Sequence, residues 1–356
     1  MTDAPDERMT DGEIAAVAST VEGVLPHYSA DEEGMRKLAS HLRWEPADPA
    51  EWPRDGQGRP AGVVCALPGG GRKVTVHCGP SGVVAPLSRI SGDAAAQAAE
   101  FRRVYAAVHG AVGFPDFFGT YTRGGAKAPS WGTPYVRWRG KYTTLALRAG
   151  VHGTELVLDY TDIWEEDYVD AVRDAPNGFI GSVVGDKLMH VSGAEAADWD
   201  ECADALAGLF AALPAETAAL GVRLALGLYG TVTQSDGTRS SPFMFDIRCQ
   251  DHLHIGYDAP APVAEAARGG GAAALGWRPT TPEALQVGTE PEHFDSPWHF
   301  DGGGPGAARA REAAELIVAT ARAAGVREAG DLRLGGEAER IDKTYFRFPG
   351  LRMATV

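Results

Sequence analysis

Positive charge is scarce in this 356-residue chain: 33 Lys and Arg stand against 48 Asp and Glu, a formal net charge of −15. Nucleic acid is held through its phosphates and needs a basic face, so the deficit argues against nucleic-acid binding and favours a basic protein partner. Acidity also arises as a plain solubility habit, and charge alone does not separate the two. Cysteine is sparse and scattered. Cys65, Cys78, Cys202 and Cys249 form no C-x-x-C pair, which removes zinc ribbons and disulfide frameworks and leaves them as small buried hydrophobes. No stretch approaches the roughly 18 uninterrupted apolar residues of a membrane span. The N-terminus, "MTDAPDERMTDGE", is acidic where a secretion signal is basic and then apolar. The expectation is a cytoplasmic protein with no membrane partner.

Catalytic signatures are missing too. There is no G-x-S-x-G elbow and no H-E-x-x-H pair. "PGGGRK" at 68–73 lacks the phosphate-loop spacing and leads into a strand, so it reads as a hairpin turn. "DGGGPG" at 301–306 precedes a helix but reads as a flexible connector. Paired carboxylates stay undecided, because spacing along the chain says little about spacing in space. The expectation is a nonenzymatic protein with no cofactor.

What is present suits a globular chain: 44% hydrophobic and 23% charged residues. At about 150 residues per domain the length suggests two domains. The break falls at Pro176, Asn177 and Gly178, giving 9–175 and 176–356. Capping boxes at Thr10/Glu13 and Ser29/Glu32 announce two helices, the first with Ile14, Val17, Val21 and Val24 on one face and ending at Pro26. Short β-branched runs follow, then a helix over 93–109 and further strands. The second half repeats the rhythm: a helix carrying Trp199, Cys202, Leu206, Leu209 and Leu213, then strands, a short Ala/Gly-rich helix, a helix over 307–324 and final strands. Residues 178–193 read as a hairpin of either half. The fold class is α+β, two domains, each an antiparallel sheet with helices mainly on one face.

Two phrases share one punctuation, L-x-W-x-P-x-x-P: "LRWEPADP" around Trp44 and "LGWRPTTP" around Trp277. A Pro two residues past the Trp cannot continue a helix, so each Trp should sit just beyond a helix end and fold back as an apolar plug. A ligand-stacking Trp is the alternative. His252 and His254 alternate within a strand-like run, which puts both on one face. With His293 and His299, each followed two residues later by an Asp, they offer an alternative His/Asp metal shell; a hydrated strand face explains the first pair equally. The densest charge lies in "DYTDIWEEDYVDAVRD" at 159–174. Its Asp159, Asp162, Trp164, Glu165, Glu166, Asp167 and Asp170 make either an aromatic and acidic contact surface or a solvated helix.

The phrases "TDGEIAAVASTVEGVL", "LASHLRW" and "PYVRWRGKYTTLALR", within roughly 9–174, resemble an uncharacterised actinobacterial domain family suspected of serving as immunity proteins in polymorphic toxin systems. "WDECADALAGLFAALP", "LGWRPTTPE" and "AREAAELIVATARAAGV" resemble the peptide-binding chaperone domains related to type III secretion chaperones and YbjN-type proteins. The long His-rich loop from Val287 to Gly306 departs from that pattern. These resemblances imply a nonenzymatic protein that holds a toxin or secreted protein as immunity factor or chaperone. Pockets beside Trp44 and Trp277 would select the partner, and the acidic segment would attract it. Self-association into a homodimer stays open, as does a His-based metalloenzyme or small-ligand protein.

Overall fold

The computed structural model describes residues 7–67, 72–79, 82–120, 129–150, 153–163, 165, 178–182, 195–234, 236–258, 271–281, 296–335, 338–341 and 344–356, with backbone alone at 182, 338–341, 344 and 345. Contacts divide the α+β chain into two units, Met1–Asp170 and Ala171–Val356. The break expected at 175/176 lies outside the described residues.

The N-terminal unit runs β1 (Glu7–Arg8), α1 (Asp11–Val21), α2 (Glu32–Leu42), β2 (Glu45–Pro46), β3 (Gly62–Ala66), β4 (Lys73–Gly79), β5 (Gly82–Arg89), α3 (Ala94–Val112), β6 (Phe117–Thr120), β7 (Pro134–Arg139), β8 (Thr143–Gly150) and β9 (Gly153–Tyr160). Its antiparallel sheet has the order β6-β7-β8-β9-β5-β4-β3-β2, with β1 on β5. Helices α1 and α3 pack together over β5, and α2 packs on β3. The first capping box forms: Thr10 Oγ1 accepts the Glu13 amide at 3.3 Å and Glu13 accepts the Thr10 amide at 2.7 Å. The helix stops at Val21, short of Pro26. The second box does not form. Asp31, two residues closer to the helix than Ser29, takes the Gly34 amide at 2.7 Å, and Ser29 donates to Asp31. A carboxylate already at the N-cap is the stronger acceptor there.

The C-terminal unit runs β10 (Ile180–Ser182), α4 (Trp199–Leu220), β11 (Leu224–Gly230), β12 (Val232–Thr233), β13 (Arg239–Ser240), β14 (Phe243–Cys249), β15 (Leu253–Tyr257), α5 (Gly271–Leu275), β16 (Arg278–Pro279), β17 (Trp298–Gly303), α6 (Ala310–Ala323), β18 (Leu332–Leu334), β19 (Ala338–Ile341) and β20 (Thr344–Arg347). Its six-stranded antiparallel sheet has the order β16-β17-β15-β14-β11-β18. Antiparallel β10-β20-β19 and the β12-β13 hairpin stand beside it. Of the hairpin expected at 178–193, only β10 falls among the described residues, and it pairs with β20. Helices α4 and α6 pack on each other and on one face of the six strands. Leu226, Ile247, Ile255 and Phe300 sit opposite one another across β11, β14, β15 and β17, all buried on that face. Helix α4 meets the length and composition for crossing a membrane, with 67% of its most apolar window buried in the protein. Asp204, Pro214 and Glu216 interrupt its apolar run, so a search for uninterrupted apolar residues misses it.

The repeated tryptophan phrase builds the same device twice. The residue before each Trp is left-handed: Arg43 at φ 57° and Gly276 at φ 114°. Arg43 donates to Ser40 and Trp44 to Ala39; Gly276 donates to Ala273 and Trp277 to Ala272. These are paired Schellman bonds that satisfy the last helix carbonyls. Each Trp is then buried, and a two-residue strand follows at the edge of its own sheet, where the Pro's missing N–H costs nothing. Even the next bond repeats, Ala47 donating to Val64 and Thr280 to Pro297. The strand orders of the two sheets differ, so the device is shared while the topologies are not. Arg43 strains where Gly276 does not. Arg43→Gly is expected to raise the urea midpoint of the N-terminal unit by an amount worth up to about 1 kcal/mol, and Gly276→Ala to lower that of its unit by about 1 kcal/mol. Equal and opposite signs at the two sites in chemical denaturation check this.

Candidate functional site

Strand alternation sends every second residue of the six-stranded sheet away from α4 and α6. On β14 these are Asp246 and Arg248, on β15 His254 and Gly256, on β17 His299 and Asp301, and on β16 Arg278. Pairing orders them in two rows: Arg248 beside His254 beside Asp301, and Asp246 beside Gly256 beside His299 beside Arg278. Gly256 leaves a gap between Asp246 and His299. The other face is a hydrocarbon core; this one is polar.

Most charges on the polar face are already matched. Arg248 Nε lies 2.9 Å from Asp246 Oδ2. His252, in the turn before β15, places Nε2 2.7 Å from Asp301 Oδ1, and the Gly303 amide donates to the same oxygen at 2.9 Å. Burial raises the Asp301 pKa, but the Gly303 amide and His252 outweigh it and hold the carboxyl below its usual value. The His252 and His254 rings lie 4.7 Å apart, on one face as their alternation predicts.

Among the described residues, three atoms at the β15-β17-β16 edge are unmatched, and so is Arg333 Nε on β18 at the other edge of the sheet. His254 Nε2, His299 Nδ1 and Thr280 Oγ1 are buried with no hydrogen-bond partner. His254 is only 9% exposed. Burial, then neighbouring His252, pushes its pKa down to about 4, against the pull of Asp301. Burial and then Arg278 lower that of His299. Both rings are therefore neutral near pH 7. A buried polar group left unpaired costs about 1–3 kcal/mol, so these atoms weigh against the stability of the β15-β17-β16 edge. Arg278 is exposed on the same edge, where its charge acts on His299 and on Glu312.

The metal alternative gains no support from the arrangement: among the described residues no three His, Cys, Asp or Glu side chains are placed to hold an ion. His252, His254 and His299 do come together, through β15 and β17; His293 lies outside the described residues.

The expected contact residues take other roles. Trp44 and Trp277 are 5% and 2% exposed, and their rings are core plugs with no surface for a partner. Trp277 stacks on Tyr257 and Phe245 at centroid distances of 5.3 and 6.1 Å and donates its indole N–H to Thr320 at 2.9 Å. Asp159 is not on an acidic helix. It is the penultimate residue of β9, is 4% exposed and pairs with His27 at 3.0 Å, so it is part of the N-terminal unit's interior. Glu165 is held by Arg139 at 2.6 Å, while Asp162 is exposed. Trp164, Glu166, Asp167 and Asp170 lie outside the described residues.

A groove of about 650 Å³ lies on the N-terminal unit beside β4, β5 and β9, with Arg72, Lys73, His77, Arg89 and Glu155 on its walls. Arg72 is matched by Glu13, Lys73 by Glu51 and Glu155 by Arg148. Its charges are largely spent, as are most of those on the C-terminal face.

The sequence placed the histidines but missed Thr280, Arg278, Asp246 and Arg248. "FDIRC" and "WRPT" alternate in the right way, yet only the pairing of β14 to β16 shows that they share a face. Comparison with protein-family models, curated proteins and solved structures finds no match to this chain, so the two resemblances rest on the quoted residues alone.

Proposed function

We propose that this is a nonenzymatic binding protein that holds an extended segment of a partner protein against the polar face of its C-terminal sheet. It would act as an immunity factor or dedicated chaperone for a toxin or secreted protein. The observation that carries the reading is the set of buried, unpaired atoms, His254 Nε2 on β15, His299 Nδ1 on β17 and Thr280 Oγ1 just after β16, strung diagonally across the sheet face opposite α4 and α6. An extended chain alternates N–H and C=O groups along its length, and neutral imidazoles and a hydroxyl match either. The net charge of −15 supports a basic partner at longer range.

The buried Trp44 and Trp277 offer a partner no surface, and this reading puts the contact on the polar sheet face. In affinity capture from the source organism, followed by reconstitution with the purified partner, Arg278→Glu combined with Thr280→Val is expected to weaken binding at least tenfold. Affinity unchanged by that pair of substitutions overturns the placement.

A further inference from the structure

We infer that the N-terminal sheet takes an extended segment of a partner protein at a fork between β1 and β4, as a strand added by main-chain hydrogen bonds. The fork lies in the N-terminal unit, and the binding role proposed for the C-terminal sheet does not enter into it.

Main-chain register makes the fork. Cys78 donates to the Ala61 carbonyl and Leu67 to that of Arg72, so the even-numbered residues of β4 serve β3. Lys73, Thr75 and His77 therefore turn their N–H and C=O groups the other way, toward β5. His77 meets Val84 there, but β4 and β5 pair only over His77–Gly79 and Gly82–Val84. The same register would set Thr75 against Pro86, which has no N–H, and β5 bulges between Pro86 and Ser88. Past the bulge, β9 still holds one side of β5, with Thr154 against Ser88. The other side is held by β1, with Arg8 against Ser88 and Met9 donating to the Leu87 carbonyl. Strand β1 thus stands where β4 would have continued. Both run antiparallel to β5, so they run parallel to each other, and among the described residues no ladder joins them.

The groove of about 650 Å³ opens in that fork, lined by Glu7 and Met9 of β1 and by Lys73, Val74 and Thr75 of β4. Successive strand residues point to opposite faces, so three in a row along a lining expose the edge of the strand rather than one of its faces. Side chains have little left to offer. Arg72, Lys73 and Glu155 are ion-paired, the Ser88 hydroxyl is given to Glu100, and Glu7 and Arg89 stand opposite each other in register. A small ion is therefore poorly served, whereas an extended polypeptide carries the alternating N–H and C=O groups that a strand edge matches. A strand running against both β1 and β4 pairs antiparallel with each, the more stable kind of ladder. With Val74 and Val84 also in the lining, the segment that fits is neutral and rich in β-branched residues.

The full chain is titrated with acetyl-Thr-Val-Thr-Val-Thr-amide and with a copy N-methylated at every residue, and amide exchange at Lys73 and Thr75 is followed by NMR. The expected result is saturable slowing at both amides with the first peptide and none with the second, which keeps the side chains and lacks the N–H donors. Thr75→Pro removes an N–H that does not serve β3, and is expected to weaken the effect at Lys73 about tenfold, the worth of a main-chain hydrogen bond or two. Arg89→Ala, at an exposed side chain of the groove, leaves the affinity unchanged. No saturable slowing, equal slowing by the two peptides, unchanged affinity in Thr75→Pro, or a loss with Arg89→Ala as large as that with Thr75→Pro overturns strand addition at the fork.

Discussion

Replacing Trp277 by Ala is expected to destabilise the C-terminal unit by about 3–5 kcal/mol, the range for removing a large buried aromatic. Three features put it at the upper end. The ring is 2% exposed, it completes a stack with Tyr257 and Phe245, and its indole N–H has a partner in Thr320. The hydroxyl of Thr320 also donates to the Leu316 carbonyl at 2.7 Å, so the substitution costs mainly packing and leaves that bond in place. Trp277→Phe keeps a ring in the stack and loses the hydrogen bond and part of the volume, for about 1–2 kcal/mol. Urea unfolding followed by amide exchange in β15 and β17 reads both values. An alanine variant within 1 kcal/mol of the parent, about the net worth of one hydrogen bond, would show that the ring is not a core plug.

The second large effect is a loss of stability in mild acid. His254 titrates near 6.5 when unfolded and is held to about 4 when folded. Between those values the unfolded chain binds a proton that the folded chain does not. Stability is therefore full above about pH 6.5, falls as pH drops toward 4, and stops falling on this account below it, a loss of roughly 3 kcal/mol in all. Asp301, whose folded pKa is depressed, loses its own contribution as pH falls through the carboxylate range, so it acts mostly below this window. Amide exchange of β15 between pH 7 and 4.5 in the parent and in His254→Gln separates the two. The expected result is a flatter pH profile in the variant; the same slope in both would mean that His254 is charged in the folded state.

How far the sequence could reach depended on how local each signal is. The Thr10/Glu13 box and the turn around each Trp are decided within a few residues, and both form. Asp159 shows the opposite. In the sequence it opens an acidic stretch, but its partner His27 is 132 residues away, so only the folded chain reveals it as a buried carboxylate hydrogen-bonded to an imidazole. The second capping box failed because two acceptors competed two residues apart. The histidine pair was legible from alternation alone. That Asp301 lies beside His254, and Arg278 beside His299, depends on which strands pair, and alternation carries no information about partners.

These strands also explain why the face stays polar. The residues pointing toward α4 and α6 include Leu, Ile and Phe, whereas the opposite positions include one Arg–Asp pair, Asp301 held by His252, and the unpaired set. A sheet face can be wet on one side at little cost, but buried unpaired atoms on it are not neutral to stability. An occupant that satisfies them recovers that cost on binding, so the same atoms that destabilise the free protein favour the complex.

The most direct test is hydrogen–deuterium exchange on the complex reconstituted from this chain and the protein it captures. The binding role proposed for the polar face predicts new protection in β15, β16 and β17 that disappears with Arg278→Glu combined with Thr280→Val. Protection confined to the N-terminal unit, or to α4 and α6, would contradict it.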